Sequence, residues 1–127
     1  KVALMYRNWK LLKDILEEAS VGNCTVSSND INELQHHIKL LHDSGYLNLG
    51  NQIKSDSTAQ QIIANLNKCS LTMKGYDLLD CMYYKGFEKV IEGLNNLNIN
   101  GPLDLVVELT QKLIKKDMMN YLCLDES

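Results

Sequence analysis

Stretches whose apolar residues recur every three or four positions alternate along this chain with short runs of turn formers. The best-defined stretch is residues 30–47. Ile31, Leu34, Ile38 and Leu41 are three, four and three positions apart, which gathers them on one face of a helix. Asp30 is a favourable N-cap, and Glu33, three residues on, suits the reciprocal bond of a capping box. Gly45 stands just past the last periodic residue, where a left-handed residue commonly ends a helix. Tyr46, Leu47 and Leu49 then favour extended backbone. A helix, a glycine stop and a strand are predicted in that order.

Upstream, the spacing predicts a first helix over residues 6–19. Trp9, Leu12, Ile15, Leu16 and Ala19 form its buried face, while Arg7, Lys10, Lys13, Asp14 and Glu17 face water. Gly22 breaks it. Cys24, Thr25 and Val26 make a short β-prone piece, and Ser27, Ser28 and Asn29 lead into the second helix. A standard helix-turn-helix has another short helix here; this chain has little room for one, so that element is expected to be abbreviated or replaced.

Downstream of Gly45, residues 46–53 read as a strand and 54–58 as a polar tip. Residues 59–71 are ambiguous: Ile62, Ile63, Ala64 and Leu66 suit a strand or a helical turn, whereas Lys68, Cys69, Ser70 and Leu71 look extended. The expected result is a β-hairpin with a long tip, a wing. Thr72 suits the N-cap of the next helix, along which Tyr76, Leu79, Tyr83, Phe87, Val90 and Leu94 follow at helical spacing. Gly75 and Gly86 each weaken a helix by about 1 kcal/mol relative to alanine, so Gly86 marks a bend or a break into two helices. Residues 95–101 are a linker of turn formers.

Pro102 opens the last helix at its first position, where a missing N–H costs nothing. Leu103, Val106, Val107, Leu113, Ile114 and Met118 give it a broad apolar stripe. Asp104 near its start and Lys115 and Lys116 near its end complement the helix dipole. The stripe packs either back on the first helix or against a second copy, so a homodimer through this helix is one of two expectations. The fold class read from the pattern is mainly α with a small β-hairpin (α+β). A single domain is expected, with a winged-helix core over 1–72 and a C-terminal helical extension over 73–123.

Composition narrows the function. A chain of 127 residues fits one domain, and 45% hydrophobic residues suffice for a core. The net charge of −3 argues against a chain built for nonspecific nucleic-acid binding, although a local basic patch is compatible with it. No apolar run approaches the roughly 18 residues of a membrane span, and the first residues do not read as a secretory signal. The four cysteines (Cys24, Cys69, Cys81, Cys123) are widely spread without a CxxC pair, which reads as reduced thiols in a cytosolic protein and not as a metal site.

Three stretches, in this order, resemble the DUF2513 family of small bacterial and phage proteins. The run from His37 through Ile38, Lys39, Leu40 and Leu41 to Ser44, Gly45, Tyr46 and Leu47 is similar to the family's helix–glycine–strand join. Leu71 and Thr72, followed by Gly75 and then Leu78, Leu79 and Asp80, resemble its next block, with Leu78 in the usual aromatic place. The Pro102, Leu103, Asp104, Leu105 and Val106 run resembles its proline-led final helix. The resemblance implies a winged-helix core with added C-terminal helices, often carried by prophages and other mobile elements. It brings no catalytic residues and no cofactor.

Catalysis is not predicted from the residues either. The only histidines, His36, His37 and His42, fall on one helix, and no nucleophile elbow, zinc-binding or phosphate-loop motif is present. Two binding functions remain. As a DNA-linked regulator, the chain would present Asn32, Gln35, His36 and Lys39 on the second helix, with Lys54 and Lys68 on the wing, to duplex DNA. Asp30, Glu33 and Asp43 on or near that helix oppose this, because phosphate neutralisation supplies most of the affinity. As an acidic interaction module, it would bind and modulate a host protein, with Tyr83, Tyr84 and the C-terminal stripe as contact surfaces.

Overall fold

The computed structural model describes residues 7–22 and 26–123. Its elements are α1 (Trp9–Val21), α2 (Ile31–Asp43), β1 (Leu47–Asn48), α3 (Ala59–Asn65), a 3-10 turn (Leu66–Lys68), β2 (Ser70–Leu71), α4 (Met73–Tyr83), α5 (Phe87–Asn96) and α6 (Leu103–Tyr121). The chain is thus mainly helical with a small two-stranded antiparallel sheet. It divides into two compact units, Lys1–Leu79 and Asp80–Ser127, with the division inside α4.

In the first unit, α1 starts at Trp9, later than the spacing alone implied. Asn8 caps it, its side chain accepting from the Leu11 amide at 3.0 Å. It ends at Gly22 in the left-handed region (φ 65), as the glycine foretold. Leu12, Ile15, Leu16 and Ala19 are buried as expected, joined by Leu11. Asp14, expected in water, is buried at 6% exposure, and its carboxylate meets the Lys10 ammonium one turn back at 3.2 Å. Of the expected β-prone piece, Cys24 and Thr25 lie outside the described residues, and Val26 is not in a strand, since 26–29 carry no regular structure.

Helix α2 packs on α1 and on β1. The Asp30 side chain accepts from the amides of Asn32 and Glu33, the expected N-cap. The reciprocal half of the capping box is missing: Glu33 turns instead to the Ser28 hydroxyl (2.9 Å) and the Asn8 amide group (3.4 Å). At the other end the Gly45 amide donates to His42 and the Tyr46 amide to Leu41, the paired bonds of a Schellman motif, with Gly45 at φ 87. Tyr46 and Leu47 are both buried.

The expected hairpin is heavily modified. β1 and β2 pair antiparallel through only Leu47 with Leu71 and Asn48 with Ser70. The connection between them is no simple tip, because it folds into α3 and the 3-10 turn. The helical alternative for residues 59–71 prevails over the first part of that segment. Its cause is local: Thr58 and Gln61 form a complete capping box, and Ile62 and Leu66, one turn apart, are both fully buried. The extended reading survives only at Ser70 and Leu71.

Thr72 caps α4 as expected. Its hydroxyl accepts from the Gly75 amide at 3.0 Å while donating to the Gly45 carbonyl at 2.6 Å, so one side chain starts α4 and ties it to the end of α2. Gly75 permits that closeness: a Cβ there would lie 2.2 Å from the Tyr46 carbonyl oxygen. The apolar stripe assigned from here onward holds at Leu79, Phe87 and Leu94, all buried, and fails at Tyr76 and Tyr83, which are 49% and 56% exposed; in α4, Leu78, Cys81 and Met82 are buried with Leu79.

In the second unit, the helix breaks at Gly86, as the glycine implied. α5 ends in a second Schellman motif, with Asn98 taking the left-handed position (φ 56). α5 packs on α6. Pro102 sits at the N-cap of α6 and not at the first helical position expected for it, which Leu103 takes. Of α6's 19 residues, Leu103, Val106 and Thr110 are buried, all in its first half.

Candidate functional site

The outward face of α2 carries Asn32, His36, Lys39 and Asp43. Asn32 and Lys39 are exposed, and Gln35 and His36 are half-buried. Gln35 does more than face solvent. Its side-chain amide donates to the Ser55 carbonyl at 3.3 Å, which brings the loop bearing Lys54 alongside α2. That loop is a tight turn: the Lys54 amide donates to the Ser57 hydroxyl at 3.0 Å, and the Ser57 amide donates back to the Lys54 carbonyl at 3.1 Å. The exposed Lys54 ammonium reaches only its own loop, at the Asn51 carbonyl (3.3 Å). Lys68 lies apart on the 3-10 turn, its carbonyl 3.1 Å from where a Cβ on Gly50 would lie. Five of the six predicted contact residues are therefore gathered by α2 and its attached loop, while no bond ties Lys68 to them.

The electrostatics of the face are dominated by Asp43. One carboxylate oxygen accepts from the Lys39 ammonium at 2.7 Å and the other lies 3.4 Å from His42 Nδ1. The hydrogen bond from Lys39, with that from His42, holds the Asp43 carboxyl below its ordinary value. Lys39 is the only lysine or arginine in α2, so its charge is locally cancelled.

Behind the face lies a network that spacing alone did not reveal. His37 is 1% exposed. Its Nε2 accepts the Asn8 amide at 2.9 Å, so the proton sits on Nδ1, which donates to the Glu33 carbonyl at 2.8 Å. Both ring nitrogens are thus committed to backbone, which makes His37 a strut between α1 and α2. The hint in the sequence was its place at the edge of the apolar face. Lys74 has a comparable role: its ammonium donates to the Ser44 carbonyl at 3.0 Å and lies 4.8 Å from the Tyr46 ring centroid, covering the C-terminal end of α2. Buried Cys69 has its thiol pushed up by burial, partly offset by a hydrogen bond from the Gly50 backbone.

On α6, Leu103 and Val106 are buried within the chain and Val107, Leu113 and Ile114 are half-buried. Met118 is 49% exposed, so it is chiefly the far end of the predicted packing face that meets solvent. The Tyr84 hydroxyl donates to the Asp117 carboxylate. Among the described residues no cluster of three His, Cys, Asp or Glu could hold a metal ion, and no helix is long and apolar enough to cross a membrane.

No family model, no curated protein and no solved structure matches this chain.

Proposed function

We propose that this chain is a non-enzymatic winged-helix regulator of bacterial or mobile-element origin. In this reading it meets duplex DNA through the outward face of α2, with the loop bearing Lys54 in the place of a wing. The observation that carries it is the bond from Gln35 to the Ser55 carbonyl, which sets that loop beside the helix. A recognition helix with an adjoining loop can reach base edges and backbone together. Asn32 and Gln35 offer amides suited to adenine edges, and Lys39 and Lys54 offer cations to phosphates. The resemblance of residues 37–47 and 71–80 to the DUF2513 pattern supports the same reading.

A second reading, an acidic module that binds and modulates a host protein, draws on the charge balance. Residues 1–79 hold eight basic and eight acidic side chains, and the net charge of −3 falls wholly in residues 80–127. A duplex-binding surface normally shows a basic excess. The two are separated by fluorescence anisotropy with a random-sequence duplex at low salt. On the DNA reading, binding appears by tens of micromolar, given nonspecific dissociation constants of about 10⁻⁴–10⁻⁶ M, and Lys54→Glu weakens it. No binding at that concentration defeats the DNA reading. Recovery of one stoichiometric protein from host lysate, abolished by changes on the same face, would then establish the other.

A further inference from the structure

Asp43 is oddly placed for a helix stabiliser. It is the last residue of α2, where the helix dipole disfavours a negative charge. It nevertheless engages the helix's single ammonium at 2.7 Å and His42 at 3.4 Å, one with each carboxylate oxygen. All three side chains are substantially exposed: Lys39 at 75%, His42 at 49% and Asp43 at 53%. None is needed for the core, and Asp43 lies in line with Asn32, His36 and Lys39 on the outward face. The pair therefore has little to do for folding, yet it cancels the charge that a phosphate would seek.

We infer that Asp43 is an autoinhibitory counter-charge on the α2 face, holding Lys39 and His42 away from anionic partners until such a partner displaces it. This inference rests on the reading that the face meets nucleic acid, and it adds how that contact is restrained. An incoming phosphate must compete with a carboxylate already at hydrogen-bond distance, and Asp43 itself repels it. Sites that also engage Asn32, Gln35 and the Lys54 loop offset that cost, whereas purely electrostatic contacts are weakened by it. A chain with balanced charge over 1–79 thus keeps indiscriminate binding weak.

The test compares wild type with Asp43→Asn, each with and without Lys39→Ala, against a random duplex and against inorganic polyphosphate as a bare polyanion. Asp43→Asn is expected to tighten binding about fivefold at low salt and to steepen the salt dependence by about 0.9 in log–log slope, one released counterion. In the Lys39→Ala background most of that gain should vanish. A gain of equal size without Lys39 overturns the inference, because Asp43 would then act by repulsion alone. Equal binding by wild type and Asp43→Asn overturns it as well, as does failure of both to bind either polyanion. A gain on polyphosphate with no duplex binding by any variant defeats the DNA reading and leaves the counter-charge standing.

Discussion

Helices α2 and α6 look alike in sequence and differ in the structure. Each shows a continuous apolar stripe with a capping signal at its start. In α2 the stripe is closed: Leu34, Ile38 and Leu41 are buried along with His37, the Asp30 side chain caps one end and a Schellman motif the other. In α6 only Leu103, Val106 and Thr110 are buried, Pro102 offers no side-chain cap, and Met118, Tyr121 and Leu122 are 49%, 81% and 53% exposed. The cause is length. α5 has 10 residues, about 15 Å of helix, against about 28 Å for the 19 residues of α6, so α5 can cover only about half of it. A period identifies which face is apolar; it does not say how far a neighbour runs along it.

The largest expected contrast is in large-to-small substitutions. Leu41→Ala, at 0% exposure, should cost about 3 kcal/mol, whereas Met118→Ala should stay within about 0.5 kcal/mol. Urea titrations followed by circular dichroism measure both. A Met118→Ala cost comparable to that of Leu41→Ala, growing with protein concentration, would mean that a second copy covers the end of α6 and would erase the contrast.

Glycines sharpen the same point with opposite signs. Gly75→Ala forces a methyl against the Tyr46 carbonyl, 2.2 Å from the ideal Cβ, and should destabilise by about 2 kcal/mol. At Gly93, in the interior of α5, an added Cβ would meet nothing within 4 Å. Gly93→Ala should therefore stabilise by about 0.5–1 kcal/mol through helix propensity. If Gly93→Ala destabilises instead, something approaches that face of α5 in solution. At the start of α2, Asp30→Ala removes the acceptor for two first-turn amides and should cost about 1 kcal/mol. No side chain caps α6, so its start has no equivalent bond to lose.

These contrasts also mark what the sequence could reveal. Features set by local chemistry were legible: the caps at Asp30 and Thr72, the stops at Gly22 and Gly45 and the break at Gly86 each depend on one residue's conformational or hydrogen-bonding preference. The insertion between β1 and β2 was only half legible. Thr58 and Gln61 spell a capping box, but the helix holds because Ile62 and Leu66 find burial, a tertiary matter. Asp14 was misplaced because spacing assigned it to the solvent face, whereas the fold buries it beside Lys10. The candidate face was legible as a list of residues on α2, since helical period places them together. Its bond to the Ser55 loop, and the commitment of His37 to Asn8, join residues 20 and 29 positions apart and leave no trace in spacing.

The smallest expected effect concerns pH, at the end of α2. The hydrogen bond from Lys39, chiefly, lowers the Asp43 carboxyl below its ordinary value; desolvation opposes it, and the His42 hydrogen bond adds to the lowering. The charged form is thus favoured in the fold. Asp43's contribution is fully present above the ordinary carboxylate value of about 4 and is lost as pH falls through the lowered one. Neutral pH leaves it intact. Thermal unfolding measured from pH 7 down to pH 2.5 should show wild type losing slightly more stability than Asp43→Asn, with the whole difference arising below about pH 4. Lys39→Met should remove most of that difference, because its hydrogen bond is the leading cause. Parallel acid limbs for wild type and Asp43→Asn would mean that the pair is not populated in solution. In that case Lys39 would already be available to an anion, and α2 would differ from α6 in packing alone and not in the charge it holds in check.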